Sequence, residues 1–238
     1  MNPYEKLLSR KRKWTPVQTT AGTCKEGAEE AIYRALALRH MELPEGDFIQ
    51  DALEKNVPDS AKALLLSNVK DEENHDLALG YIANAYGVDT KAEREALALQ
   101  KAWIEHPDHT IVKAMVAERA IFFVLLPFFR ANGDAGMRTV SADISRDEQV
   151  HVATNSLLVK ELGLEISPSL DKLRKATINW VMQPLKHKDP VKKLDKKFWL
   201  DSSDNLMYQG KAPELSFTKA ARMPAFFEHS NVNLPQYA

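Results

Sequence analysis

The sequence has one cysteine, no long apolar run and almost no net charge, and each shortage excludes a class of protein. Cys24 is the only cysteine, so no internal disulfide can form, which fits a reducing compartment, and we expect a cytoplasmic protein. The longest apolar run, residues 120–129, is much shorter than the roughly 20 residues needed to span a bilayer, and we expect no membrane partner. Residues 1–12 lack the apolar core of a secretory signal. A net charge of −1 gives no general attraction to nucleic acid, so no nucleic-acid partner is expected.

Convincing strand patterns are also absent, and apolar residues recur instead at the three- and four-residue spacing of helices. The sequence therefore predicts an all-α fold. The predicted helices cover residues 25–41 or slightly beyond, 47–55, 59–86, 91–105, 109–130, 137–162 and 169–182. Asp59 or Ser60 is predicted to cap the third of these, Gly87 to end it, and Pro127 to bend the fifth.

We divide the chain into three parts. Residues 1–22 form an N-terminal arm, and residues 23–185 form one helical domain. Residues 186–238 are punctuated by proline and carry scattered aromatic residues, and we expect a tail that wraps or docks rather than a core element.

One spacing occurs twice: Asp71-Glu72-x-x-His75 and Asp147-Glu148-x-x-His151. Residues three apart share a face of a helix, so each motif directs a carboxylate and an imidazole to one point. Two such helices, with one Glu from each of two more, supply the ligands of a di-iron or di-manganese site in a four-helix bundle. The alternative is a pair of ordinary solvated helix faces.

A further acid, Glu118, lies alone within an apolar helix, where an unpaired buried carboxylate would be costly. Its neighbour Arg119 could neutralise it, which is the alternative to metal binding. Glu118 and Glu148 are each about 15 residues from the turn at Gly133, so an antiparallel helix pair places them at one height.

The fourth carboxylate is assigned to Glu42 over Glu29. Glu42 lies on the most apolar face of the first helix, and both Glu42 and Glu72 are about 15 residues from the turn at Pro58. Glu29 has a similar spacing to Pro44 but leaves the short helix 47–55 unexplained. Residues 91–105 then return the chain, which gives a ferritin-like four-helix bundle with one crossover.

The two aspartates of the repeated motif are predicted to support the site from outside. A metal-bound His usually donates its other N–H to a carboxylate, so we expect Asp147 to contact His75 and Asp71 to contact His151. The alternative for each is an exposed helix residue. Oxygen donors with two imidazoles suit iron or manganese.

These motifs resemble those of a known family. The stretch Ile144-Ser145-Arg146-Asp147-Glu148-x-x-His151 resembles the second metal motif of the ribonucleotide reductase small subunit. Residues 118–123 are similar to that family's third metal helix, residues 89–95 to its connecting helix, and Trp14-Thr15-Pro16 to its N-terminal tryptophan segment. The resemblance covers about residues 14–163.

The resemblance implies the small, radical-generating subunit of a class I ribonucleotide reductase, which serves deoxyribonucleotide biosynthesis for DNA replication. It implies two metal ions (Fe/Fe first, Mn/Fe or Mn/Mn as alternatives), O2 as oxidant, a homodimer and a separate large catalytic subunit as partner. The family's radical route would fall on His75, Asp147 and Trp14, and Tyr237 or Tyr208 would relay the radical onward.

The sequence departs from the family at Leu79, where a radical-bearing Tyr usually stands, and the nearby Tyr81 points to another helix face. Either the oxidant is stored on the metals or the chemistry differs. A free-standing di-iron oxygenase or oxidase is the main alternative function, with Leu79 and Phe122 lining an apolar channel to a small substrate. A third is a binding or iron-handling bundle without redox turnover.

Overall fold

The computed structural model describes residues 2–16, 18, 20–55 and 57–220, and within this part of the chain it contains eleven α-helices and no strand. They are α1 (Pro3–Leu8), α2 (Glu29–Ala37), α3 (Glu42–Leu53), α4 (Asp59–Tyr86), α5 (Thr90–Glu105), α6 (Thr110–Ala117), α7 (Phe123–Asn132), α8 (Ala135–Glu161), α9 (Pro168–Met182), α10 (Lys196–Gln209) and α11 (Phe217–Ala220). The predicted all-α class is therefore confirmed.

Four segments of the chain form the central bundle. The first comprises α2, a 3₁₀ turn and α3; the second is α4; the third comprises α6, a π turn and α7; and the fourth is α8. α3 packs against α4 and α6, while α8 packs against α4, α6 and α7. α5 is the crossover between the second and third segments and packs against α2. This is the ferritin-like bundle with one crossover that the helix spacing predicts.

The second bundle segment has the predicted bounds. α4 spans Asp59–Tyr86, and the chain leaves it at Gly87 with φ +82°, a left-handed value that favours glycine. The predicted cap is wrong, because Pro58 holds the N-cap position and no side chain closes that end. The start is set instead by proline, whose φ is compatible with a helix start and which lacks the N–H that a helix terminus leaves unpaired.

The first bundle segment differs from the prediction. We expected one helix over residues 25–41 and another over 47–55, but a 3₁₀ turn, Leu38–Met41, links α2 directly to α3. Glu42 thus begins α3 rather than lying on the first helix. Pro44 misleads here, since a proline in the first turn of a helix costs no hydrogen bond.

The third bundle segment is interrupted where one continuous helix was predicted. A π turn, Glu118–Phe122, joins α6 to α7, so the wide turn begins at the lone acid of this segment. Such turns occur often at functional sites. Pro127 lies inside α7.

The C-terminal region contains a core element, which corrects the expectation of a tail. α10 packs against α7 and α9, and its Trp199 is fully buried, with Phe128 edge-on at a ring distance of 5.2 Å. An aromatic side chain of this size stabilises a core through the apolar area it removes from water. Residues 221–238, including Tyr237, lie outside the described residues.

The predicted N-terminal arm contains one short helix that the sequence analysis missed. α1 packs against α4 and α8, and the Tyr4 hydroxyl donates to Glu161 Oε2 at 2.6 Å. None of the described helices combines the length and the apolar character that crossing a lipid bilayer would require.

Candidate metal centre

The four bundle segments bring six buried side chains to one level of the interior. α3 contributes one Glu, α4 and α8 each contribute a Glu and a His three residues apart, and the start of the π turn contributes another Glu. Each is at most 1% exposed: Glu42, Glu72, His75, Glu118, Glu148 and His151. The structure therefore places all six predicted ligands together.

These side chains fall into two groups, each with donor atoms within 4.8 Å of one another. The first group is centred on His75. Its Nδ1 lies 3.1 Å from Glu72 Oε2, 3.3 Å from Glu148 Oε1 and 3.6 Å from Glu42 Oε2. Three carboxylates and one imidazole nitrogen thus face a common point.

The second group is centred on His151. Its Nδ1 lies 2.8 Å from Glu72 Oε1, 3.7 Å from Glu148 Oε2 and 3.8 Å from Glu118 Oε1. Glu72 and Glu148 therefore each turn one oxygen toward each imidazole. Both carboxylates are thus shared between the two groups.

The donor atoms themselves indicate that the group fits a pair of metal ions. Several are buried and close to other donor atoms of the cluster but make no properly aligned hydrogen bond among the described residues, namely both oxygens of Glu42 and Glu148, Oε1 of Glu72 and Glu118, and Nδ1 of His151. Buried polar atoms are normally paired, and buried charges are paired or bind metal. Oxygen with imidazole nitrogen and no thiolate is a donor set for iron or manganese.

The electrostatics of the cluster show how tightly its charges are coupled. Burial raises the pKa of Glu42 to about 8 against the opposing pull of His75, and burial together with Glu148 raises the pKa of Glu118. Burial opposes the charge of Glu72, but His151 and His75 outweigh it and lower the Glu72 pKa. Burial disfavours protonation of both imidazoles, yet the surrounding carboxylates raise their pKa values. Metal binding requires neutral imidazoles and ionised acids, so it must release protons.

Each imidazole turns its other nitrogen to the aspartate of the opposite motif, as predicted. His75 Nε2 lies 3.4 Å from Asp147 Oδ2, and His151 Nε2 lies 2.9 Å from Asp71 Oδ2. These contacts fix the ring orientations, with Nδ1 facing the cluster and Nε2 facing out of it.

A second contact extends one of these pairs toward the surface. The indole Nε1 of Trp14 donates to Asp147 Oδ2 at 2.6 Å, and the Trp14 ring stacks on His75 with centroids 6.3 Å apart. Burial opposes the charge of Asp147, but His75 and Trp14 together hold its pKa below the ordinary value. Trp14 is only partly buried.

Two basic residues of the N-terminal arm complete this outer layer, and the sequence analysis missed both. Lys11 Nζ forms an ion pair with Asp71, donates to Asn68 Oδ1 at 3.0 Å and lies 3.4 Å from His151 Nε2. Burial lowers the pKa of Lys11 to about 8, against the opposing effect of nearby acids such as Asp147. Arg12 donates to Asp143 at 3.0 Å and lies 3.8 Å from Asp147. Both belong to the basic run Arg10-Lys11-Arg12-Lys13, and these two side chains contact buried acids.

A fifth buried glutamate, Glu45, was not predicted from the sequence. It is 1% exposed, neither of its oxygens has a partner among the described residues, and burial, followed by Glu118, raises its pKa well above the ordinary value. The signal was present, because Glu45 follows Glu42 by three residues and must share its helix face.

The remaining candidates take the following positions. Glu29 is exposed at the start of α2 and accepts from Gly27 N at 2.8 Å, which leaves Glu42 as the fourth carboxylate of the cluster. Arg119 donates to Ser156 at 3.2 Å, whereas Glu118 accepts from Asn155 Nδ2 at 2.8 Å.

The residues expected beside the metals are apolar and buried. Leu79 and Phe122 are each 3% exposed and belong to the main hydrophobic core. Tyr208 lies on α10, where its hydroxyl donates to Asp171 at 2.6 Å.

The fold and the site together define an all-α, ferritin-like bundle with a buried Glu/His cluster that could hold metal. No protein-family model and no curated protein matches the chain. Among solved structures, it is similar to the crystal structure of a "putative class I ribonucleotide reductase" from Bacillus halodurans, with a TM-score of 0.62 and 18% identity over 92% of this chain and 97% of that one. At this identity, the likeness establishes the fold alone.

Proposed function

We propose that this chain is the small, radical-generating subunit of a class I ribonucleotide reductase. The single observation that carries the proposal is the unbroken line of contacts from the buried cluster through His75 and Asp147 to Trp14. A metal-storage bundle or a simple structural core has no need of a tryptophan joined to the ligand shell in this way.

The cluster would hold two metal ions, Fe/Fe first, with Mn/Fe or Mn/Mn as alternatives. Glu72 and Glu148 would bridge them, Glu42 and His75 would complete one position, and Glu118 and His151 would belong to the other. Two reduced ions side by side would supply the electrons that activate O2.

The surrounding residues would orient the ligands and conduct charge. Asp147 accepts a hydrogen bond from the indole N–H of Trp14 and contacts the imidazole of His75. Its lowered pKa keeps it ionised, so it can interact with both groups. A shared acceptor of this kind allows a proton to shift along the line as an electron leaves Trp14, so no isolated charge forms in the interior. Arg12 beside Asp147 adds a compensating charge.

The nucleotide chemistry would belong to a separate large subunit, since a single cysteine leaves this sequence without a dithiol of its own. Tyr237 would continue the route to that partner. We further propose that the protein is a cytoplasmic homodimer. Residues 221–238 would dock on the large subunit.

The test begins with the purified protein. It should bind up to two ions per chain by elemental analysis and develop an electron paramagnetic resonance signal when the reduced protein meets O2. Mixed with a catalytically competent large subunit, it should then support metal- and O2-dependent deoxynucleotide formation. Two bound ions with no activity beside a demonstrably competent partner would contradict the subunit assignment. Turnover of O2 with a small organic substrate and no partner would favour the free-standing oxidase.

A further inference from the structure

Glu45 has no role in the six-ligand arrangement. It lies on α3 one turn after Glu42 and is as deeply buried as the six ligands. Both of its oxygens are unpartnered among the described residues, although a lone buried carboxylate is among the costliest groups a core can contain. A structural role would be served better by an apolar residue or by an acid with a donor beside it.

The packing of α3 and the charges around Glu45 indicate which side of the cluster it faces. The two groups of donors share Glu72 and Glu148, whereas Glu118 belongs only to the group around His151. α3 packs against α6, which ends at Glu118, and of the charges acting on Glu45 that of Glu118 is the strongest. Glu45 therefore faces the cluster on the side of Glu118.

We propose that Glu45 is a seventh protein ligand, which binds the metal position formed by Glu118, His151 and Glu72. This inference rests on the proposed dinuclear site. Glu45 adds a fifth protein donor to the second position, to which Glu72, Glu118, Glu148 and His151 are already directed. Glu45 would also add a fifth negative charge where two divalent ions supply four positive ones. A fifth carboxylate therefore favours an ion of higher charge at this position.

The test is a metal titration of four proteins: the unchanged chain, Glu45→Gln, Glu45→Asp and the control Asp47→Asn. Asp47 lies on the same helix but is exposed, so its variant reports any general effect of removing an acid from α3. Mn²⁺ is added to the metal-free proteins. Bound ions are counted by elemental analysis after dialysis, and electron paramagnetic resonance distinguishes single ions from coupled pairs. A competing chelator gives the two dissociation constants.

In Glu45→Gln we expect the first ion to bind as in the unchanged chain, and the second dissociation constant to rise at least about tenfold. The coupled-pair signal should weaken accordingly, while Asp47→Asn matches the unchanged protein. The metal-free Glu45→Gln protein should unfold at the same temperature as the unchanged protein or higher, because a buried charge has been removed. Glu45→Asp keeps the charge but shortens the side chain, so we expect an intermediate loss of affinity for the second ion. This variant provides the test if Glu45→Gln fails to fold.

Equal affinity for the second ion in the unchanged chain and both Glu45 variants would overturn the proposal. That result leaves the dinuclear site itself intact. Failure of the unchanged chain to bind two ions is a different result, and it would overturn the proposed function.

Discussion

Asp147 Oδ2 is shared by two partners: the indole N–H of Trp14 at 2.6 Å and the Nε2 of His75 at 3.4 Å. The other ring nitrogen of His75 faces three carboxylates of the cluster. The imidazole is thereby held between the metal-binding acids and the residue that links them to the partly exposed indole.

The first prediction concerns this link. Trp14→Phe removes the N–H donor and the easily oxidised indole but leaves every candidate ligand in place. The variant should bind two metal ions like the unchanged chain and lose activity with a large subunit. Metal content and deoxynucleotide formation measure the two effects separately. Full activity in Trp14→Phe would reduce this residue to a packing role.

The second prediction concerns the ligands. His151→Ala or Glu118→Ala removes one donor from the second group, so each variant should lose at least one of the two ions. Elemental analysis after dialysis measures the loss. Glu29→Gln is the matched control, since Glu29 is exposed and distant from the cluster, and its metal content should not change. Two ions in both ligand variants would show that the ligands are assigned wrongly.

The third prediction separates the two tyrosines that the sequence nominated as relays. Tyr208 is bonded to Asp171 on the neighbouring helix α9, so Tyr208→Phe should affect stability slightly and leave radical transfer intact. Tyr237→Phe should retain metal binding and partner affinity but lose deoxynucleotide formation. Loss of activity in the first variant and its retention in the second would reverse this assignment.

The fourth prediction concerns the ion pair between Lys11 and Asp71, which is almost fully shielded from water. Lys11→Met keeps the length of the side chain but removes the lysine charge from Asp71, which then has only His151 beside it. Breaking a buried pair from one side costs about 3–5 kcal/mol, which urea unfolding of the metal-free protein would measure. Lys13 is exposed two residues away, and Lys13→Met should change the free energy of unfolding by less than about 0.5 kcal/mol. Similar effects in the two variants would contradict the inward role of Lys11.

The fifth prediction concerns pH and the junction of α5 with the 3₁₀ turn. Glu93 accepts two hydrogen bonds from Arg39, at 2.6 and 3.0 Å, and lies 2.5 Å from His40 Nε2. Burial opposes its charge, but Arg39 and His40 lower the Glu93 pKa below its ordinary value. A lowered carboxyl pKa contributes stability above the unfolded-state pKa of about 4.3, and this is lost as pH falls through the folded value.

Glu93→Gln should therefore cost about 1–3 kcal/mol near neutral pH, and the difference from the unchanged chain should shrink below about pH 4. Denaturant unfolding at several pH values measures it. Glu105→Gln, an exposed acid on the same helix, should give a difference within about 0.5 kcal/mol throughout. A cost for Glu93→Gln that persists undiminished in acid would rule out an ionic origin.

Much of the bundle could be predicted from the sequence, because the fixed rise per residue of an α-helix converts a number of residues into a distance along the bundle axis. Equal spacing of Glu118 and Glu148 from one turn was enough to place both acids at the level where the structure has them. The crossed Asp–His contacts followed from the repeated motif in the same way. The end of α4 was also predicted correctly, because the chain leaves this helix with a positive φ that favours glycine, and Gly87 stands there.

The remaining features depend on tertiary contacts that spacing does not encode. Lys11 belongs to a basic run, and only the fold shows that it meets Asp71, 60 residues away. Glu45 fell between the first two predicted helices, whereas the structure places it inside α3. Trp199 was assigned to a tail because prolines surround its helix, yet it packs against Phe128 in the core.

The π turn at Glu118–Phe122 has a consequence for chain length. A wide turn accommodates one residue more than regular winding allows, and each residue of an α-helix rotates the chain by about 100°. In a related protein with one residue fewer in this turn, the acid at position 118 could face the interior, or α7 could pack through its apolar face. Both could not hold together. Insertions and deletions should therefore be tolerated in the loops of this protein long before they are tolerated in these five positions.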